Sequence, residues 1–137
     1  MECVARTSIR QQRQGGGGGQ AGEVRNRTVL ARLLLIEGLV AEVYGISPPE
    51  LLSEGRGVRL IADARQLVMY LAHVALGLSC AEVGDYYGRD RSTVAYACRK
   101  WEDRRDDPQV DAVLFKIEQL IAGGMTVYGL ARWEGFR

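Results

Sequence analysis

The sequence predicts an all-α fold of about six helices, and three observations support this prediction. Apolar residues recur at steps of three and four along several segments, which is the spacing of one helix face. Residues that cap helices precede these segments, and glycines follow them. No segment shows the apolar and polar alternation that predicts a strand.

The composition indicates one folded domain. The chain has 137 residues, of which 47 % are hydrophobic, enough to fill a single core. The sequence has no apolar run long enough to span a membrane, and its start lacks the apolar stretch of a signal peptide. We therefore expect a cytoplasmic protein with no membrane partner. Cys3, Cys80 and Cys98 are odd in number and widely spaced, which does not indicate a disulfide framework.

The net charge of +1 hides an uneven distribution along the chain. Residues 1–32 carry a net +4, residues 33–55 carry −4, residues 56–105 carry +3 and residues 106–137 carry −2. Because a nucleic-acid surface needs local positive charge rather than a high overall charge, such a partner is compatible with this sequence.

The domain organisation follows from composition. Residues 1–22 include five consecutive glycines among Gln and Arg and predict a disordered arm. Residues 23–122 form the predicted helical domain, and residues 123–137 form a C-terminal extension without clear periodicity.

Residues that cap helices, and glycines that end them, divide the helical domain into separate helices. The first helix covers residues 24–44 and ends at Gly45. Ser47, Pro48 and Glu50 start a short helix that reaches Leu52. The inner face of the first helix is predicted to contain Val29, Leu33, Ile36, Val40 and Val43.

A glycine-rich loop with Arg56 and Arg59 is predicted before the next long helix, which covers residues 61–76 and ends at Gly77. Asp63 lies near the start of this helix, where acidic residues act as caps. The inner stripe is predicted to contain Leu67, Tyr70, Leu71 and Val74.

Two further helices are predicted between Ser79 and Asp103, separated by a turn at Gly88. Ser79 and Glu82 match a capping box, and Asp90 can cap the second helix. A last helix starts at Pro108 and ends at the glycines 123–124. Its inner face is predicted to contain Val110, Val113, Leu114, Ile117, Leu120 and Ile121.

The segment from Ser79 to Trp101 has the pattern of a helix-turn-helix. Gly84 allows close helix approach, and Gly88 allows a left-handed turn. The predicted wedge between the helices contains Val83, Val94 and Cys98. The side chains predicted to point outward from the second helix are Arg91, Ser92, Ala95, Tyr96, Arg99 and Lys100. Short polar and basic side chains at the start of such a helix are typical of base reading, with cations behind for phosphates.

Residues 36–121 resemble the C-terminal DNA-binding domain of the bacterial replication initiator DnaA. The segments that carry the resemblance are ELLS at 50–53, ARQLVMYLA at 64–72, LSCAEVG at 78–84, GRDRSTV at 88–94 and ACRK at 97–100. The resemblance implies a Trp repressor-like helical fold and double-stranded DNA as the partner. It also implies a role in replication initiation or in transcription regulation.

The resemblance implies a role for each matching residue. It implies a minor-groove arginine at Arg56, beside Arg59 in the basic loop, and a phosphate contact at Arg65. It implies that Ser79, Cys80 and Ala81 present backbone to phosphate. The major-groove residues that it implies are Asp90, Arg91, Ser92 and Thr93, with Arg99 and Lys100 as the basic pair behind them. Arg89 and Tyr96 are further candidate DNA contacts.

Three features depart from the family pattern. Gly88 stands where the family usually has two glycines, Arg91 replaces its usual His, and the basic loop is one residue longer with fewer cations. The target sequence is therefore left open. The chain also lacks a phosphate-binding loop, so we expect no nucleotide cofactor, a stand-alone domain without the family's ATPase, and no enzyme activity.

His73 and Trp101 each allow a second interpretation. A zinc site needs three or four ligands. Cys80 and Cys98 can come near each other across the predicted wedge, but His73 and Cys3 have no ligand spacing, so we expect no metal site and a structural role for His73. Trp101 is expected to pack under the last helix rather than stack on bases.

Two alternative functions remain. One is a helical protein-interaction module that docks through the acidic segment 33–55, with a degenerate helix-turn-helix. The other is a transcription regulator unrelated to replication. A protein partner or a homodimer is left open in each case.

Overall fold

The computed structural model describes residues 20–53 and 59–123, and within these ranges the chain is helical with no strand. The all-α prediction is confirmed. The helices are α1 (Gln20–Tyr44), α2 (Pro48–Leu52), α3 (Arg59–Leu76), α4 (Cys80–Tyr87), α5 (Arg91–Arg104) and α6 (Pro108–Gly123). The Gly-rich stretch of the predicted arm, the loop residue Arg56 and most of the predicted C-terminal extension lie outside the described residues.

The helix ends follow the capping residues that the sequence contains. Ser47 and Glu50 form a capping box at α2, and Ser79 and Glu82 form another at α4. Gly45 and Gly77 have φ values of 69°, so each ends its helix in the left-handed conformation that glycine adopts without strain.

Helix α1 starts earlier than predicted. Gln20 and Gly22, expected in the arm, lie in its first turn. Glu23 accepts a hydrogen bond from Arg27 at 2.9 Å, one turn further on. An acidic residue in the first turn and this pair both favour the helix, which explains why it extends beyond its apolar stripe.

Helix α3 is the centre of the fold and packs against α1, α5, α4, α2 and α6. Leu67, Tyr70 and Leu71 are buried, as predicted. Val74 was predicted inside with them, but it is 39 % exposed, because it borders an open cavity beside His73. Arg59 was predicted in the loop and is instead the first residue of α3.

Helix α6 packs against α1 and α3. Its side chains Leu114, Ile117 and Ile121 are buried in one cluster with the fully buried Trp101, as predicted for that tryptophan. Arg105, just after α5, donates to Asp111 at 2.6 Å and also pairs with Glu118. These contacts fix the end of α5 to α6.

Candidate nucleic-acid interface

The turn between α4 and α5 is held by two glycines with different roles. Gly84 lies where a Cβ atom would overlap the carbonyl oxygen of Arg89, so the two helices approach at backbone distance. Gly88 has φ 63° and ψ 36°, a left-handed conformation that reverses the chain. Val83 and Val94 are fully buried beneath the turn. The predicted helix-turn-helix is confirmed.

Asp90 caps α5 as predicted. One of its carboxylate oxygens accepts hydrogen bonds from the backbone N–H and the hydroxyl of Ser92, both at 2.9 Å. These bonds, and the nearby positive charge of Arg91, lower the pKa of the Asp90 carboxyl. The cap therefore holds the first turn of α5 in a fixed geometry, and Asp90 has a structural role whatever else it contacts.

The first turn of α5 and the residue before its cap form an exposed polar surface. Arg89, Asp90, Arg91, Ser92 and Thr93 are all exposed. Tyr96 lies one turn later and is 57 % exposed. We call these six residues the reading surface. In the part of the chain that the structure describes, Arg91 forms no ion pair with Glu82, whose carboxylate accepts from the Ser79 backbone instead.

Arg65 and Arg89 bring two positive charges together beside this surface. The Arg65 Nε donates to the Leu51 carbonyl at 2.8 Å, and a second nitrogen lies 3.4 Å from the Ser53 hydroxyl. Burial lowers the pKa of the Arg65 guanidinium, and the neighbouring charge of Arg89 lowers it further. Two like charges held together favour an anion between or beside them.

Other predicted contacts are also placed by the structure. Ser79 and Ala81 are exposed at the start of α4, and Cys80 is half-buried between them. Arg59 is exposed at the first position of α3, and Arg99 is exposed on α5. Arg56 lies outside the described residues.

Lys100 and Asp63 form a contact that the sequence did not indicate. The Lys100 ammonium pairs with the Asp63 carboxylate and lies 2.6 Å from the Gln66 side-chain oxygen. Asp63 was expected as a helix cap, but it is one turn inside α3 and also lies 3.7 Å from Arg104. This network joins α3 to α5, so Lys100 has a packing role that Arg99 does not share.

A second feature corrects the expectation about metal ligands. The donor atoms of His73, Cys80 and Cys98 all lie within 4.8 Å of one another, so the argument from spacing was wrong. Burial raises the pKa of the Cys98 thiol to about 12, and the adjacent Cys80 thiol adds to this shift. The predicted wedge between the two helices indicated part of this cluster, because it places Cys98 of α5 against the start of α4.

No described helix combines the length and apolar character needed to cross a membrane.

Comparison with known proteins agrees with this geometry. The family model described as the bacterial DnaA protein helix-turn-helix matches residues 34–100, from the middle of α1 to the middle of α5. The match includes α2, α3, the capping box of α4 and the whole reading surface. No solved structure matches the chain. Residues 34–100 are therefore similar to the helix-turn-helix of the bacterial DnaA protein, which is a DNA-binding domain.

Proposed function

We propose that this protein binds double-stranded DNA in a sequence-specific manner, with the first turn of α5 in the major groove. The observation that carries the proposal is the reading surface, which exposes Arg91, Ser92 and Thr93 at the N-terminal end of a helix fixed by a rigid turn. In helix-turn-helix proteins, this end of the second helix meets the base edges. The family match includes this end of α5.

Within this proposal, the surrounding cations position the protein on the phosphate backbone. Arg99 lies two turns behind Arg91 on the exposed part of α5, and Arg59 lies at the start of α3. Arg65 and Arg89 supply a paired positive charge that a phosphate would neutralise. Arg56, which precedes α3 in the sequence, is proposed as the minor-groove arginine. We propose phosphate contacts for the exposed residues Ser79 and Ala81 at the start of α4 as well.

The alternative of an interaction module is less well supported. It requires the acidic segment 33–55 to present a docking face. However, Ile36, Leu39 and Val40 are fully buried in the core, and Glu37 is 2 % exposed and accepts from the Tyr87 hydroxyl at 3.0 Å. The apolar face of this segment is therefore used within the fold.

Titration of the purified full chain against a labelled duplex tests DNA binding. The duplex is first selected from a random pool, and a scrambled duplex serves as reference. We expect the affinity to fall as salt rises, because phosphate contacts release counterions. Arg91→Ala should weaken binding to the selected duplex by about 10–100-fold. The control Arg27→Ala removes an arginine that is exposed on α1 and lies outside the family match, and it should leave the affinity unchanged. Equal affinities for Arg91→Ala and the wild type would contradict the assignment of α5.

We further propose that the protein regulates replication initiation or transcription at the sites it occupies. Genome-wide occupancy of the tagged protein distinguishes these roles. Occupancy concentrated at replication origins supports the first role, and occupancy concentrated at promoters supports the second. Occupancy without sequence preference would contradict both.

A further inference from the structure

Three helices bring a histidine and two cysteines to one point beside the helix-turn-helix. His73 comes from α3, Cys80 is the first residue of α4, and Cys98 lies on α5. Their donor atoms lie within 4.8 Å of one another, and all three residues are half-buried. The residues are far apart in sequence, so their meeting is a product of the tertiary structure.

The histidine is oriented as metal-binding histidines usually are. Its Nδ1 lies 2.6 Å from the carbonyl oxygen of Leu78. Because a carbonyl oxygen can only accept, the ring proton is on Nδ1 and the lone pair is on Nε2. Donation of one ring N–H to a backbone carbonyl is the arrangement that fixes the ring and increases the basicity of the other nitrogen towards a metal.

The thiols supply two further donors. Cys98 and Cys80 lie within hydrogen-bond reach of each other, and both are free cysteines. Cys80 is the first residue of α4, so its position is fixed by the start of that helix. In tetrahedral zinc sites, Zn–S and Zn–N bonds of about 2.3 and 2.0 Å place neighbouring ligand atoms roughly 3.5–3.8 Å apart. The three donors need to converge by only about 1 Å, which side-chain rotation can provide.

An open cavity gives access to two members of the cluster, His73 and Cys98. Its volume is about 300 Å³, and its lining includes His73, Cys98, Arg99, Glu102 and Asp103. A cavity of this size admits a hydrated cation and leaves room for a water molecule as fourth ligand. The carboxylates of Glu102 and Asp103 outnumber the single guanidinium of Arg99, so the cavity lining carries a net negative charge.

We propose that His73, Cys80 and Cys98 bind a single zinc-class divalent cation, with water in the fourth position. Two thiolates and an imidazole form the nitrogen and sulfur set that zinc prefers, and they discriminate against magnesium and calcium, which prefer oxygen. The bound cation links α3 to both helices of the helix-turn-helix. The inference concerns metal binding alone and does not rest on the proposed DNA target.

Cobalt(II) is the probe for this site, because a tetrahedral cobalt–thiolate centre has intense visible absorption and a thiolate-to-metal charge-transfer band. The reduced full chain is titrated with cobalt(II), and then zinc(II) is added. We expect one equivalent of cobalt to bind with thiolate bands, and one equivalent of zinc to displace it. Zinc should also raise the thermal unfolding midpoint of the wild type.

Matched variants identify the ligands. His73→Asn keeps a side-chain donor for the Leu78 carbonyl and removes Nε2, while Cys80→Ser and Cys98→Ser each remove one thiol. Each should weaken zinc binding at least about 100-fold and abolish the zinc-dependent rise in the midpoint. Cys3→Ser is the cysteine control and should bind zinc like the wild type. Far-ultraviolet circular dichroism of each metal-free variant verifies that it is folded, and Cys98→Ala replaces Cys98→Ser if the latter is not.

Three results would overturn the proposal. The first is cobalt binding without thiolate bands. The second is zinc affinity that survives in a folded double variant lacking both Cys80 and Cys98. The third is a reduced protein that binds no metal but forms a Cys80–Cys98 disulfide in air, which would identify the pair as a redox couple instead.

Discussion

The backbone N–H of Arg89 donates to the carbonyl oxygen of Gly84 at 2.9 Å, and this bond closes the turn between α4 and α5. The same close approach leaves no space for a Cβ atom on Gly84, since it would overlap the Arg89 carbonyl oxygen. The direction in which α5 leaves the turn, and with it the placement of Arg91, therefore depends on a glycine with ordinary helical φ.

Gly84→Ala should destabilise the protein by about 1–3 kcal/mol, because the backbone of the turn must move to accept the methyl group. Gly38→Ala is the matched control. Gly38 is also helical, but a Cβ there meets nothing within 4 Å. It should stabilise the protein by about 0.5–1 kcal/mol through helix propensity. Chemical denaturation of both variants measures the two changes. A Gly84→Ala variant as stable as Gly38→Ala would show that the turn is not closely packed.

Gly88→Val tests the backbone conformation of the turn rather than the space available there for a side chain. A Cβ on Gly88 meets nothing within 4 Å, so the cost comes from φ 63° alone. Left-handed backbone costs an L residue about 1–2 kcal/mol, and a β-branched residue is affected most. Gly88→Asn should cost less, since asparagine tolerates this region. Thermal unfolding compares the two, and equal midpoints for Val, Asn and Gly would disprove the left-handed turn.

Adjacent cations on α5 are expected to respond differently to mutation. Arg99 is exposed, and Lys100 pairs with Asp63 and Gln66. Arg99→Ala should weaken binding to all duplexes about equally and reduce the salt slope by about 1, with unchanged stability. Lys100→Ala should lower the free energy of unfolding by about 1 kcal/mol, because Asp63 loses a partner at the interface of α3 and α5.

Titrations against selected and random duplexes, together with denaturation, separate the two cations. If Arg99→Ala weakened binding to one sequence alone, Arg99 would contact bases rather than phosphates. A Lys100→Ala variant with full stability and a reduced salt slope would show that the ammonium contacts phosphate instead.

Local sequence signals predicted most of the fold. The capping boxes at Ser47 and Ser79, the Asp90 cap and the stops at Gly45 and Gly88 act through neighbouring backbone, so short-range chemistry suffices to place them. The reading surface was predicted for the same reason, since it is the first turn of a capped helix.

The features that sequence reasoning missed depend on packing between distant elements. Asp63 meets Lys100 across α3 and α5, and no local pattern indicates this pair. The exposure of Val74 and the meeting of His73 with Cys98 depend on how α5 packs against α3, because both helices line the same cavity. Periodicity predicts which face of a helix is apolar but not how its neighbours cover it.

Arg91 gives the most specific prediction, because it is exposed in the first turn of α5, directly after the Asp90 cap. An arginine there can donate two hydrogen bonds to guanine O6 and N7, a geometry that histidine cannot match. A bidentate pair of this kind discriminates by about 1–3 kcal/mol between bases. We therefore expect Arg91→His to change one or two positions of the preferred site, including loss of a preferred guanine.

Site selection from a random duplex pool, done in parallel with wild type and Arg91→His, measures this change. The competing interpretation is that Arg91 only stabilises the turn by pairing with Glu82 or Asp85. Neither pair is present among the described residues, and Glu82 is already engaged in the capping box with Ser79. An exposed ion pair is worth about 0–1 kcal/mol, and its loss would leave sequence preference unchanged. Identical selected sites for the two proteins, with a small drop in stability for the variant, would therefore show that Arg91 does not read bases.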